Sequence, residues 1–131
     1  MILVMGATGH VGKELVPQLL EMGQPVRVFT RDVRKVAHLG NRVECVEGDF
    51  AKPETLAVAM QHVDRMLLIT FETRQDVHAL EAAQRSGVQH VVKLSTLEAS
   101  DAVLQVGKWH RERERLIEAS GLEWTFLRPG I

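Results

Sequence analysis

Three glycines in the stretch Gly6-Ala7-Thr8-Gly9-His10-Val11-Gly12 are the residues of this chain best placed to hold an anion. They follow the apolar run Met1-Ile2-Leu3-Val4-Met5 and open a helical pattern. Glycine permits both a sharp strand-to-helix turn and the close approach of a phosphate. The first amides of the helix have no partner within it. With the positive end of the helix dipole they can hold a pyrophosphate without a lysine. Gly6, Thr8, Gly9, His10, Val11 and Gly12 are therefore the expected lining of a dinucleotide cradle. The G-x-x-G-x-x-G spacing is one residue wider than the commonest dinucleotide fingerprint, and the alternative is an ordinary turn with a tight helix–strand contact. A triphosphatase phosphate loop does not fit, because its leading glycine would fall at Ala7 and its metal-binding hydroxyl at Glu14.

A second cluster with chemical meaning is Arg31-Asp32-Val33-Arg34-Lys35, at the end of the second strand pattern. In a dinucleotide fold an acidic residue there favours a free ribose 2′-hydroxyl and an arginine favours a 2′-phosphate. Arg31 can pair with phosphate through its planar fork, and Arg34 or Lys35 could add charge. NADP(H) is thus preferred over NAD(H). Asp32 reads as a helix N-cap, with ribose binding in an NAD-type site as its alternative. Cys45 lies in a strand pattern and reads as buried packing. The histidines show neither His-x-x-x-His spacing nor a carboxylate or cysteine cluster, so no metal site is expected.

The elements that must position these residues alternate along the chain. Residues 1–5 form a continuous apolar run, as a buried parallel strand does. Residues 10–22 make a helix with Val11, Leu15, Val16, Leu19 and Leu20 on its apolar stripe and Gly23 as its stop. Pro17 inside it costs about 3 kcal/mol unless the helix kinks. Strands follow at 25–30, 42–47, 64–70, 88–94 and 122–127, with helices starting at Pro53 and covering 73–85 and 105–120. Residues 97–104 read as a loop. Six strands alternating with five helices predict an α/β, doubly wound parallel sheet, a Rossmann fold in strand order 3-2-1-4-5-6, with ligand where the order reverses.

With 131 residues and 45% apolar composition, one domain is the natural count. The net charge of −1 supplies no general pull toward nucleic acid or an anionic membrane, so a small-molecule partner is expected. One cysteine excludes an intrachain disulfide, and the apolar start is too short for a signal peptide or membrane span. A cytoplasmic location is the default expectation.

The glycine stretch, Thr30-Arg31, Gly48-Asp49-Phe50 and the closing Ala119-Ser120-Gly121-Leu122-Glu123-Trp124-Thr125-Phe126-Leu127-Arg128-Pro129-Gly130 together resemble the NmrA-like, NAD(P)H-binding group of atypical short-chain dehydrogenase/reductases. The resemblance covers nearly the whole chain. It implies that Asp49 contacts adenine, that Phe50 lies beside it, and that Thr70-Phe71 passes the cofactor ribose. The plainer alternatives are that Asp49 caps the next helix and Phe50 is core.

Most short-chain dehydrogenases use a Tyr-x-x-x-Lys pair, the lysine lowering the tyrosine pKa for proton exchange. This chain contains no tyrosine. Anchored on Glu114 and Ser120-Gly121, the resemblance puts the lysine position at His110 and the tyrosine position at Val106. His110 could face the nicotinamide pocket and donate a proton near neutral pH, with Ser95 or Thr96 approaching from the fifth strand. The plainer reading makes His110 a cofactor-positioning or surface residue. The run Arg111-Glu112-Arg113-Glu114-Arg115 reads as a solvated helix face with intrahelical charge pairs, and Trp109 and Leu116 as packing. In the family, the segment after Leu-Arg-Pro-Gly supplies much of the substrate pocket. Only Ile131 follows here, so residues 1–131 are expected to be a cofactor-binding domain lacking that segment. Hydride transfer from NADPH to a quinone, flavin or small carbonyl is the leading expectation. A non-catalytic NADP(H)-binding redox sensor with a protein partner is the alternative.

Overall fold

The computed structural model describes residues 1–100 and 105–130. Six parallel strands form one sheet: β1 (Ile2–Met5), β2 (Val26–Thr30), β3 (Glu44–Glu47), β4 (Arg65–Leu68), β5 (His90–Leu94) and β6 (Glu123–Leu127). Their order is β3-β2-β1-β4-β5-β6, the doubly wound order expected from the alternation of elements. Four α-helices connect them: α1 (His10–Glu21), α2 (Pro53–Ala59), α3 (Thr73–Ser86) and α4 (Gln105–Glu118). Between β2 and β3 the chain makes 3-10 turns over Val33–Arg42, interrupted at Gly40, whose φ of 58° no helix accommodates. Part of the expected loop at 97–104 is a short 3-10 turn, Leu97–Ser100; the remainder lies outside the described residues.

Two apolar layers sandwich the sheet. Leu3, Met5 and Phe29 point to one side and meet Leu56, Leu80 and Ile117 from α2, α3 and α4, with Met60 just after α2. Ile2, Val4 and Val28 point to the other and meet Val16, Val36 and Leu39. The alternation of β1 side chains between these layers is why its sequence is apolar throughout. Helix α1 runs unbroken through Pro17 and buries Gly12 and Val16, whereas Val11 stays 44% exposed. The apolar stripe is thus turned by one position from that expected.

The second strand departs from its alternating pattern, because all five residues are buried. Arg27 is accommodated by donating to the Ala59 carbonyl at 2.7 Å, in the last turn of α2, and to Glu44 at 2.9 Å. Cys45 departs in the opposite sense. It is exposed, not buried, since Val46 takes the core-facing position and leaves its neighbour on the open face of the edge strand β3.

Candidate functional site: a dinucleotide cleft beside a buried ion cluster

The three glycines of the loop meet three different demands. Gly6 has φ +110°, and a Cβ there would stand 2.3 Å from the Ile69 carbonyl oxygen on the neighbouring chain segment. A Cβ on Gly12 would fall 2.1 Å from the Gly6 carbonyl oxygen, so the first turn of α1 can rest on the loop only without a side chain. Gly9 is different. Its backbone is extended, and an added Cβ would meet only the Gly6 carbonyl oxygen at 3.6 Å, ordinary contact. The protein itself leaves room at Gly9, as a ligand-facing position requires.

Gly9 is also the N-cap of α1, with no side-chain cap and no acidic residue in the first turn. Lys13 N donates to Gly9 O at 3.0 Å, while no backbone acceptor takes the amides of His10, Val11 and Gly12 among the described residues. Gly6 and Thr8 line a cleft of about 200 Å³ together with Phe29, Thr30, Arg31, Lys35, Phe50, Thr70, Phe71 and Gln75. A second cleft adjoins it, sharing Arg31 and lined by Glu47, Gly48, Asp49, Lys52 and Thr55. The free amides, the open Gly9 and the shared Arg31 fit a dinucleotide laid across the sheet edge, with pyrophosphate at α1 and an adenosine end over β2 and β3.

Side chains around Arg31 leave it available. Asp32 caps the following turn by accepting from Arg34 N at 3.0 Å. Its two oxygens also take Arg34 Nε and Nη2, both at 3.0 Å, which lowers the Asp32 pKa and raises that of Arg34. Arg34 is therefore engaged, whereas Arg31 is exposed and makes no hydrogen bond or ion pair among the described residues. Asp49 accepts from Ala51 N at 2.8 Å, and the α2 N-cap is Lys52. Phe50 is half-buried, packing edge-on against Phe29 with ring centroids 5.3 Å apart, so it belongs to both the core margin and the cleft wall.

The other half of the site is built from charge. Within the expected solvated run, Glu112 and Arg115 are exposed and Arg111 pairs along the helix with Glu114 and Glu118, but Arg113 and Glu114 are both 0% exposed, which overturns that reading for these two. Arg113 pairs with Asp76 and donates to the Thr70 carbonyl at 3.0 Å and hydroxyl at 2.6 Å. Its neighbour Glu114 accepts from Ser95 Oγ at 2.6 Å, Arg111 at 3.0 Å, and Arg128 Nε and Nη2 at 2.9 and 2.6 Å. Two adjacent residues of α4 thus tie down the carboxyl ends of β4, β5 and β6. Burial alone would raise the Glu114 pKa, but the bonds from Arg128, Ser95 and Arg111 prevail and lower it.

Lys93, fully buried on β5, is the least satisfied member. Its Nζ donates to the Leu94 carbonyl at 3.3 Å and stands 3.9 Å from Asp76, which Arg113 and Thr70 already occupy. Burial, only partly offset by Asp76, brings its pKa from 10.5 to about 8. Sequence reasoning passed over Asp76, Lys93 and Arg113. A lysine flanked by Val91, Val92 and Leu94 in a central strand was the available signal, since such a charge needs buried partners.

Ser95 and His110 stand on this side, and neither lines the two clefts above. Ser95 is committed to Glu114. His110 is half-buried beside Trp109, ring centroids 5.1 Å apart, and its Nδ1 is a buried atom without a partner. Burial, then the charges of Lys93 and Arg113, lower its pKa, which works against the charged acid expected there. Leu116, expected in packing, is 38% exposed. Among the described residues no helix is long and apolar enough to cross a membrane, and no three metal-ligating side chains stand together.

Known proteins share this architecture. A family model described as NAD(P)H-binding matches residues 6–131. The NAD(P)H azoreductase of Xenophilus azovorans is 35% identical over 137 aligned positions, which cover 100% of this chain and 48% of that protein. Quinone oxidoreductase 2 of Escherichia coli is 27% identical, over 99% of this chain and 48% of its own length. The solved structure of the NADPH-dependent quinone oxidoreductase from Escherichia coli complexed with NADPH superposes with a TM-score of 0.88 at 28% identity, covering 98% of this chain and 48% of that one. That of Citrobacter sp. triphenylmethane reductase complexed with NADP(H) gives 0.87 at 29%, covering 99% and 49%. The chain spans about half the length of the curated relatives it matches. It belongs to the NAD(P)H-binding family and, within it, to the NmrA-like, atypical short-chain dehydrogenase/reductase group that its motifs resemble.

Proposed function

We propose that these residues form the NADP(H)-holding part of an oxidoreductase that passes hydride to a quinone, an azo or other dye, or a small carbonyl compound. The observation that carries the reading is one continuous edge. Gly6 and Thr8, just ahead of first-turn amides at 10–12 that have no backbone acceptor among the described residues, line one cleft with Arg31, Phe50 and Thr70 at the carboxyl end of the sheet, beside the reversal of strand order between β1 and β4. Relatives named as azo and quinone reductases support the acceptor class. Bound NADPH would supply the hydride; this chain's residues would grip the pyrophosphate and 2′-phosphate and fix the ribose wall. Quinone and azo acceptors can take their proton from solvent, so the absence of tyrosine is compatible with that chemistry.

On this reading the cleft prefers the phosphorylated cofactor through Arg31. Arg31→Ala is expected to weaken NADPH by about 1–3 kcal/mol, the scale of a charged hydrogen bond, and to leave NADH nearly unchanged. Fluorescence titration with both cofactors decides it, and equal losses would refute the 2′-phosphate role.

The non-catalytic, redox-sensing reading draws support from one observation: Ser95 donates its hydroxyl to Glu114, and neither Ser95 nor His110 lines the two clefts. NADPH oxidation over a panel of quinones, azo dyes and flavins separates the two. Sustained turnover favours the reductase. Silence, with unequal affinity for NADP+ and NADPH, favours the sensor. The 131 residues by themselves are expected to bind cofactor and turn over little.

A further inference from the structure

The turn after β4 is shaped by side chains from two helices. The Thr70 hydroxyl donates to Asp76 Oδ1 while accepting from Arg113 Nη2 at 2.6 Å, and the same guanidinium holds the Thr70 carbonyl at 3.0 Å. Beyond it, Gln75 Oε1 accepts from Phe71 N at 2.9 Å and Glu72 N at 3.2 Å. Arg113 is braced in turn, its guanidinium 4.6 Å from the centroid of the Trp109 ring, whose Nε1 donates to Thr73 Oγ1 at 3.2 Å. Thr70 and Phe71 line the dinucleotide cleft, and the Phe71 side chain is left 75% exposed.

A guanidinium and a carboxylate with no exposed surface are an expensive way to fill space, since apolar residues of similar volume are often as stabilising or more so. What the pair adds is geometry, because a bidentate fork fixes its partners in plane and direction. Thr70 has its proton and one lone pair engaged inward, so it serves the cleft as a fixed wall.

We propose that Arg113 is a positioning residue for the cofactor cleft: acting through Asp76 and Thr70, it fixes the turn at residues 70–72 and the ring of Phe71 that the turn carries, without touching the cofactor. The inference rests on the dinucleotide reading above. It differs from a purely structural role in being local: loosening Arg113 frees the cleft wall before it frees the sheet.

The test compares Thr70→Val, which keeps the ion pair and its bond to the residue 70 carbonyl but removes both hydroxyl bonds, with Arg113→Lys, which keeps the charge and loses the fork. Arg113→Met alone would leave Asp76 with only Lys93 as counter-charge, and loss of both would leave Lys93 buried without a carboxylate, so the charge-free control is the triple variant Arg113→Met/Asp76→Leu/Lys93→Met. In the ligand-free chain, hydrogen exchange at the Phe71 and Glu72 amides is expected to rise about tenfold in each variant, the equivalent of one hydrogen bond, with β1 and β5 unchanged. The NADPH dissociation constant should rise by a similar factor. Unchanged exchange at these amides, unchanged affinity, or faster exchange throughout the sheet would each overturn the proposal. Failure of the unsubstituted chain to bind NADPH would defeat the cofactor reading and this inference together. Binding by that chain with equal affinity in all three variants would defeat the inference alone.

Discussion

At the carboxyl ends of β1 to β3 the chain offers glycines and backbone amides, whereas at the ends of β4 to β6 it offers buried charges. The first region works by having nothing in the way: Gly6, Gly9 and Gly12 carry no side chains, and the first-turn amides of α1 have no backbone acceptor among the described residues. The second works by crowding. Asp76, Lys93, Arg113 and Glu114 have no exposed surface and hold three strand ends through side-chain bonds. A site of backbone groups is rigid wherever the turn is rigid, so it tolerates surface substitution but not an added methyl. A site of buried charges tolerates small changes of shape but not an unpaired partner.

The largest effect should come from breaking the backbone half. In Gly12→Ala the new Cβ would lie 2.1 Å from the Gly6 carbonyl oxygen and 2.6 Å from the Ala7 Cα, both main-chain atoms. No flexible side chain can yield, so the helix must lift from the loop. Overpacking of this kind costs about 3 kcal/mol or more, and lifting the helix moves the amides that would grip the pyrophosphate. Calorimetry should show a lower thermal midpoint, and NADPH titration a near-complete loss of binding. A variant that folds normally and binds normally would show that the close approach at Gly12 does not set the cradle.

Next in size is the charged half. Glu114→Gln removes the carboxylate shared by Arg128, Arg111 and Ser95, and is expected to cost about 3 kcal/mol, because two guanidinium groups lose their counter-charge. Its pH dependence checks the cause. The Glu114 pKa is lowered in the fold, so its contribution is fully present above the unfolded value near 4.5 and is lost as pH falls through the lower folded value. Denaturant midpoints of the two proteins should converge in acid. A constant gap would assign the loss to packing.

These two regions were not equally legible in the sequence. Gly6, Gly9 and Gly12 could be read because the demands on them are local: a strand, a turn and a helix follow one another within a few residues. Strand order followed from the alternation of elements for the same reason. Arg113 and Glu114 were hidden because charge in a helix ordinarily means solvent, and only the packing of α4 shows otherwise. The signal lay in the spacing, since buried Gly107, Glu114 and Ile117 recur at intervals of seven and three, which places the middle of the charged run on the inward face. Lys93 was legible as an anomaly among valines, but its counter-ion Asp76, and the Arg113 that shares that carboxylate, lie 17 and 20 residues away along the chain. Cys45 was misplaced because a four-residue edge strand offers too little periodicity to say which face is covered.

Lys93 is where the two regions can be told apart by sign. The Gly12 and Glu114 substitutions both destabilise, but Lys93→Met should stabilise at neutral pH. The lysine is fully buried, it stands 3.9 Å from a carboxylate already engaged by Arg113, and its pKa falls from 10.5 to about 8. For a base with a depressed folded pKa, the unfolded chain binds the proton more tightly. The charge is therefore a full penalty below about pH 8, relieved as pH rises from there toward 10.5. The shift corresponds to about 3 kcal/mol at the linkage constant of about 1.4 kcal/mol per pH unit, an upper scale for the gain on removing the charge. Chemical denaturation at pH 7 should find the variant more stable, with its advantage shrinking at pH 9 and nearly gone at pH 10.5. A variant less stable than the parent at pH 7 would mean that the ammonium helps hold Asp76 in place, and that the right half of the sheet depends on a third charge besides the Asp76–Arg113 pair.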